Sequence, residues 1–403
     1  MRQPSTSSTR GFSLIELMLA LALGLLITGA AVKLYSTGVD ATWVIQQRAE
    51  MQQDLRAAEN LLLRDISLAG AGLTQVPGET IALPYATTPI YGCSTGAGGP
   101  VCPPNGAINY PCVGGACGAA TPPTLYAIMP GYQLGIKPPS SAIPSDIITV
   151  VYSDTMLALN CYTSPAMTTS AGGTVLTFTA PSLPLPGGCV LPPGLTYPQA
   201  LNNNVNGLIP GDVVLLNTSG GSGGWAVGEV TAVAPAYPTN NPPVAGTSTY
   251  SISFANADTL KLNQSGQAND LTKISGGTNP QAWRIYVITY FLQNWTDAAG
   301  LTTTILYRQV NGQPAVPLVD NIANMQFTYD TYNTDGTLLN ATGDGGESIG
   351  IAPSSIRKVN IAHLTIHSQL YGTRSSLMAT QGFQSFDVQT SMSARNMSFN
   401  NRY

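Results

Sequence analysis

The chain has 403 residues, only 9% of them charged, and a formal net charge of −4. That length buries a sizeable core in two or three units, and 42 glycines with 30 prolines favour turns and short strands over most of the chain. No Lys/Arg cluster supplies the basic face that nucleic acid requires, so DNA binding is disfavoured.

A polar leader with Arg2 and Arg10 ends at Gly11 and opens into Phe12-Ser13-Leu14-Ile15-Glu16-Leu17-Met18-Leu19-Ala20. A secretory signal peptide carries its small-residue cleavage site after the apolar core, whereas Gly11 lies before it. Phe12 to Val32, about 21 residues at 1.5 Å each, is enough to cross the ~30 Å hydrocarbon core of a bilayer. Only Glu16 is charged within it, and the basic leader marks the cytoplasmic end, with Lys33 alone following. A carboxylate at bilayer depth costs about 2.5–3.5 kcal/mol, so Glu16 calls for a partner. Cleavage after Gly11 would give Phe12 a free amine four residues away, in the same chain or offered by a neighbouring subunit. The plainer reading is an acid that snorkels to the headgroups.

The residues Gly11-Phe12-Ser13-Leu14-Ile15-Glu16 resemble the class III signal of type IV pilins and pseudopilins. The resemblance implies that a membrane aspartyl prepilin peptidase removes residues 1–11, cutting between Gly11 and Phe12, and methylates the new amine to give N-methyl-Phe12. The alternative is an uncleaved signal anchor.

The helical pattern continues past the membrane. Apolar residues recur at Val44, Met51, Leu55, Ala58, Leu62, Ile66 and Ala69, while Arg48, Glu50, Asp54, Arg56, Glu59 and Arg64 take the other faces. No proline occurs between Pro4 and Pro77, and Gly70-Ala71-Gly72 supplies the stop. The expectation is one helix of about 57 residues, roughly 85 Å long. Residues 12–33 form its transmembrane or filament-core half, and residues 34–72 an amphipathic half that packs one face on a globular domain. Gly24, Thr28 and Gly29 stand where major pilins usually carry a proline, and either soften the helix or allow close helix–helix contact.

Residues 73–280 read as a β-rich region containing a large Cys/Gly/Pro-rich insertion, and residues 281–403 as a C-terminal antiparallel β region. The expected strands are Asp146–Tyr152, Thr174–Thr179, Asp212–Asn217, Trp225–Val233, Thr249–Phe254, Arg284–Phe291, Thr303–Gln309, Met325–Tyr329, Arg357–Ile366 and Phe386–Met392. Hairpin-like gaps without intervening helices argue an antiparallel sheet, hence an α+β fold. Cys93, Cys102, Cys112, Cys117, Cys161 and Cys189 are an even set in a chain that reads as exported, which favours disulfides over zinc or free thiols; six cysteines allow 15 pairings.

Several further stretches resemble PilW-type minor pilins: Leu62-Leu63-Arg64-Asp65-Ile66-Ser67-Leu68-Ala69-Gly70 at the end of the helix, then Ser145-Asp146-Ile147-Ile148-Thr149-Val150 and Pro210-Gly211-Asp212-Val213-Val214-Leu215. Leu306-Tyr307-Arg308, the run Leu318 to Asp330 and Ser393-Ala394-Arg395-Asn396 are similar to the family's C-terminal core and closing residues. The resemblance implies a non-enzymatic minor pilin that primes the type IV pilus and stays near its tip, serving adhesion and twitching motility. It also implies an inner-membrane, single-pass precursor with a periplasmic C-terminal part, and an extracellular filament subunit after assembly. The implied partners are other minor pilins, the major pilin, the prepilin peptidase, the inner-membrane assembly platform and a tip adhesin. Two other readings stay open: a J-type pseudopilin of type II secretion, and a binding module acting as the tip adhesin itself.

Catalysis finds little support. His363 and His367 fall on a β-branched run, about 13 Å apart along a strand, too far for one metal ion. The loop from Asp330 to Gly336 offers a weak calcium candidate in Asn333 and Asp335, but Thr331 occupies the first ligand position and Thr342 the place of the closing Glu. A plain Asn/Asp/Gly turn is the other reading. No cofactor is expected.

Overall fold

The computed structural model describes residues 11–73, 80–82, 124–133, 135–139, 141–154, 168–169, 175–179, 207–219, 225–234, 249–255, 271–274, 278–296, 298, 300, 302–333, 336–339, 353–367 and 385–394. All six cysteines and Asp335 lie outside them, and so does most of the expected Cys/Gly/Pro-rich insertion.

One helix, α1, runs unbroken over Leu14–Leu68, 55 residues, starting two residues later than the apolar run begins. The chain groups into two compact units, one holding the helix to Gln53 and the other starting at Asp54 and holding the sheets. In the first unit the large apolar side chains from Phe12 to Ile45 are mostly exposed. In the second, Leu55, Ala58, Leu62, Ile66 and Ala69 are buried, each three or four residues from the last. Full burial of the expected stripe therefore begins at Leu55, while Val44 and Met51 are only half-buried.

The strands are β1 (Thr80–Ala82), β2 (Thr124–Tyr126), β3 (Ile128–Gly131), β4 (Ile147–Asp154), β5 (Thr168–Thr169), β6 (Val175–Thr179), β7 (Val213–Ser219), β8 (Trp225–Ala234), β9 (Thr249–Phe254), β10 (Thr278–Thr296), β11 (Thr302–Val310), β12 (Val316–Asp320), β13 (Ile322–Thr331), β14 (Ile356–His367) and β15 (Ser385–Ser393). Every pairing is antiparallel. The fold is α+β: a long apolar N-terminal helix followed by antiparallel sheets. The largest sheet is ordered β12-β11-β10-β7-β8-β9-β6-β5, with β4 on the other edge of β10 and β3 beyond β4.

The 19-residue β10 organises this sheet. Its first half pairs with β7 and its second half with β11 along one edge, while β4 takes the opposite edge from Arg284 to Tyr290. It thus joins residues on both sides of position 280 in one sheet. Both faces of β10 are buried. Trp283, Ile285, Val287 and Phe291 join Ile147, Val151, Val213 and Leu215 in one core, and Ile288, Tyr290 and Leu292 alternate onto the other face. Each such aliphatic or aromatic side chain contributes about 1.5–3 kcal/mol on burial.

Two turns set the register of the C-terminal strands. Asn311 and Gly312 both have positive φ (53° and 72°), and Gln313 N–H donates to the Val310 carbonyl at 2.9 Å, a type I′ Asn-Gly turn that opens the β11–β12 connection. Asn311 also accepts the Val287 N–H on its Oδ1 at 2.9 Å. At Asn321, φ is 59°, and the chain turns there from β12 in the large sheet into β13 of the three-stranded sheet β13-β14-β15.

Candidate functional site

Gly11, Phe12 and Ser13 precede the first helical residue, and the Phe12 side chain is 85% exposed. A Cβ at Gly11 would meet nothing within 4 Å. The Ser13 backbone N–H donates to Glu16 Oε2 at 3.1 Å, and Leu17 N–H closes the first turn on the Ser13 carbonyl at 3.1 Å. Glu16 therefore caps the helix from its third position, the return half of a Ser-x-x-Glu capping box, and its charge faces the positive end of the helix dipole. Phe12 nitrogen is a peptide nitrogen in this chain, and the partner Glu16 finds is the Ser13 amide, not an ammonium. Sequence reasoning passed over the cap, although the Ser13–Glu16 spacing carries its signal.

In the apolar half and just beyond it, threonine hydroxyls bond back inside the helix. Thr28 Oγ1 donates to the Gly24 carbonyl at 2.7 Å, and Thr37 and Thr42 bond back four residues at 2.9 and 2.8 Å. In hydrocarbon, where no water is available, such back-bonding removes an unsatisfied group. The helix is continuous through Gly24 and Gly29, and a Cβ at either would meet open space. Among the described residues no contact demands glycine there. Among the described residues this helix alone is long and apolar enough to cross a membrane.

Residues 6–32 match the prokaryotic N-terminal methylation motif. No curated protein and no solved structure matches the chain. The chain thus carries the prepilin-type signal of type IV pilin-like proteins, on a helix consistent with membrane anchoring.

The other sequence candidates find different surroundings. His363 Nδ1 lies 2.9 Å from Asp387 Oδ2, which also receives the Gln389 side-chain amide at 3.2 Å; Thr365 donates to Asp387 Oδ1 at 2.7 Å. Burial pushes the Asp387 carboxyl up, but the bonds from Thr365, His363 and Gln389 outweigh it and hold its pKa below the usual carboxylate value. His363 and His367 both lie on β14, and no group of three metal-ligating side chains forms among the described residues. Asn333 belongs to a turn: its N–H donates to the Thr337 carbonyl at 2.8 Å and its carbonyl accepts from Gly336 at 3.0 Å. Asp330 is engaged by Lys358 Nζ at 3.2 Å and Asn360 Nδ2 at 3.0 Å.

Three buried carboxylates went unassigned in the sequence, although each lies in a family-like stretch. Asp146, just before β4, accepts the N–H of Gln133 on Oδ1 and of Phe327 on Oδ2, both at 2.7 Å, and so ties the large sheet to β13. Asp212 accepts the Ile209 N–H at 2.9 Å and lies 3.9 Å from Arg284. Burial raises the Asp212 pKa more than that bond and Arg284 lower it. Arg284, almost wholly buried, bonds Asp154 at 2.6 Å and the Gly207 carbonyl at 3.1 Å.

Asp65, only 1% exposed, accepts two bonds on a single oxygen, from Tyr290 OH at 2.7 Å and Arg308 Nε at 2.8 Å. Burial pushes the Tyr290 hydroxyl far up, and the neighbouring Tyr152 up to about 12, with the Asp65 charge adding to both. A lone acid inside the Leu62–Ile66 stripe was the available signal, since a buried charge requires a partner.

Proposed function

We propose that this protein is a PilW-type minor pilin, which helps prime the type IV pilus and is incorporated at or near its tip. The observation that carries the reading is the prepilin signal placed on a helix whose first half exposes nearly all its apolar side chains. Such a surface leaves lipid only where other apolar helices replace the lipid, and a filament core of like helices does that. After removal of residues 1–11, the N-methylated amine of Phe12 and the Glu16 carboxylate make the assembly contact, each offered to a neighbouring subunit. Family-like stretches far apart in sequence support the PilW-type assignment, because Asp65 meets Arg308 and Asp146 meets Phe327.

On this reading the precursor spans the inner membrane once, with its β part in the periplasm, and the mature subunit is extracellular within the pilus. Its partners are other minor pilins, the major pilin, the prepilin peptidase, the assembly platform and a tip adhesin; its role is structural, without cofactor or nucleic acid.

The test is a deletion strain assayed in parallel for surface pili and for secreted enzymes. Loss of piliation and twitching with secretion intact is expected. Loss of secretion with normal pili would move the protein to the J-type pseudopilins of type II secretion.

A further inference from the structure

A strand at the end of a sheet presents unpaired backbone groups, and among the described residues every such strand but one is short, interrupted or capped. Strands β3 and β12 carry Pro130 and Pro317, and β1, β2 and β5 are two or three residues long. The outer edge of β13 is occupied by Asp146, whose carboxylate accepts the Phe327 N–H at 2.7 Å and whose N–H donates to the Met325 carbonyl at 2.9 Å. Strand β15 is the exception. It has nine residues with neither proline nor a basic side chain, and among the described residues it pairs with β14 alone.

One bond fixes the direction of its backbone groups. Ala394, just past the strand, donates its N–H to the Arg357 carbonyl of β14 at 3.0 Å. Even-numbered residues of β15 therefore turn their amides to β14, and Asp387, Gln389 and Ser391 turn theirs outward. The bulge between Ile361 and Leu364 falls in β14 and leaves this alternation intact. Side chains alternate as well. Phe386, Val388, Thr390 and Met392 lie opposite Ile366, Leu364, Ile361 and Val359 and share their face of the sheet. Those four residues of β14 are at most 3% exposed, whereas their partners on β15 are only half-buried. The apolar face runs out one strand short of full cover.

We propose that β15 pairs edge to edge with β15 of a second copy of this chain, antiparallel about a two-fold axis at Gln389. A two-fold contact presents the same strand to itself, so the strand must be its own complement. Gln389 is the middle residue of β15, and this centre alone overlaps all nine. Phe386 then meets Met392 and Val388 meets Thr390, which continues the apolar face. On the polar face Asp387, the only charge in the strand, meets the Ser391 hydroxyl instead of its own copy. The outward amides of Asp387, Gln389 and Ser391 take the carbonyls of the second strand. The inference stands on the fold of the second unit and is independent of the pilus reading.

Site-resolved amide exchange of the full chain in detergent micelles, at two protein concentrations, tests it. The Asp387, Gln389 and Ser391 amides are expected to exchange about tenfold more slowly at about 100 µM than at about 1 µM. The Val388 and Thr390 amides, bonded to β14, are expected to stay protected at both. Two substitutions at exposed Ser391 test the register. Ser391→Lys sets a base opposite the second copy's carboxylate and is expected to tighten the pairing about fivefold, whereas Ser391→Asp sets an acid there and weakens it about fivefold. Equal exchange of the outward amides at the two concentrations overturns the proposal, whether they are open throughout or protected throughout. Shifts of the same sign in the two Ser391 variants would overturn the register about Gln389.

Discussion

On the proposed reading Glu16 has two demands on one carboxylate, and they separate by substitution. The cap needs only an oxygen that accepts the Ser13 N–H at 3.1 Å, and glutamine supplies one. Pairing with a neighbour's ammonium needs the charge. Glu16→Gln is therefore expected to be processed and to reach the membrane normally, yet to be depleted from sheared fibres by about tenfold, as Glu16→Ala is. Quantitative immunoblots of membrane and fibre fractions give the answer, and wild-type incorporation of the Gln variant would leave Glu16 a helix cap and nothing more. Asp65 behaves differently because it is enclosed. Asp65→Ala strands the Tyr290 hydroxyl and the Arg308 guanidinium and is expected to cost about 3 kcal/mol, read as a lowered unfolding midpoint in detergent.

Among the elements, the helix and ten of the strands were legible because their periods are unambiguous: three- and four-residue steps from Leu55 to Ala69, β-branched runs such as Val213-Val214-Leu215. Strands β3 and β12 were not, because Pro130 and Pro317 interrupt them. Among the described residues both pair on one side only, the edge position at which a strand tolerates proline. The full length of β10 was hidden too, since Thr278–Gln281 and Gln293–Thr296 are mostly polar, with Pro280 and Trp295 the exceptions, and join the strand through their partners β7 and β11. Within the site, the prepilin-type signal could be read directly. The Asp65 triad could not, because Arg308 and Tyr290 come from strands more than 200 residues away.

Two predictions belong at this scale. Asn321→Val forces a β-branched residue into φ 59° and is expected to cost about 1–3 kcal/mol, whereas Asn321→Gly is expected to be near neutral; thermal unfolding distinguishes them. Strand β15 is held partly through Asp387, whose folded pKa is depressed. Its contribution is then fully present above the unfolded value of 3.8 and is lost as pH falls through the lower folded value. Amide exchange over residues 385–393 is expected to quicken below pH 3.8, and Asp387→Asn to remove most of that dependence.

At the scale of the whole molecule, the chain joins two parts with opposite relations to solvent. The β part encloses its apolar side chains on both faces of β10, whereas the helix from Phe12 to Ile45 leaves most of its own uncovered. A stretch of that kind is stable only in lipid or among other helices, and on the proposed reading a chain carrying the methylation motif at residues 6–32 exchanges one for the other. Mass spectrometry of the N-terminal peptide in sheared surface fibres tests this most directly. The account predicts a peptide beginning at N-methylated Phe12; a chain that still begins at Met1, or is missing from the fibre fraction, would contradict it.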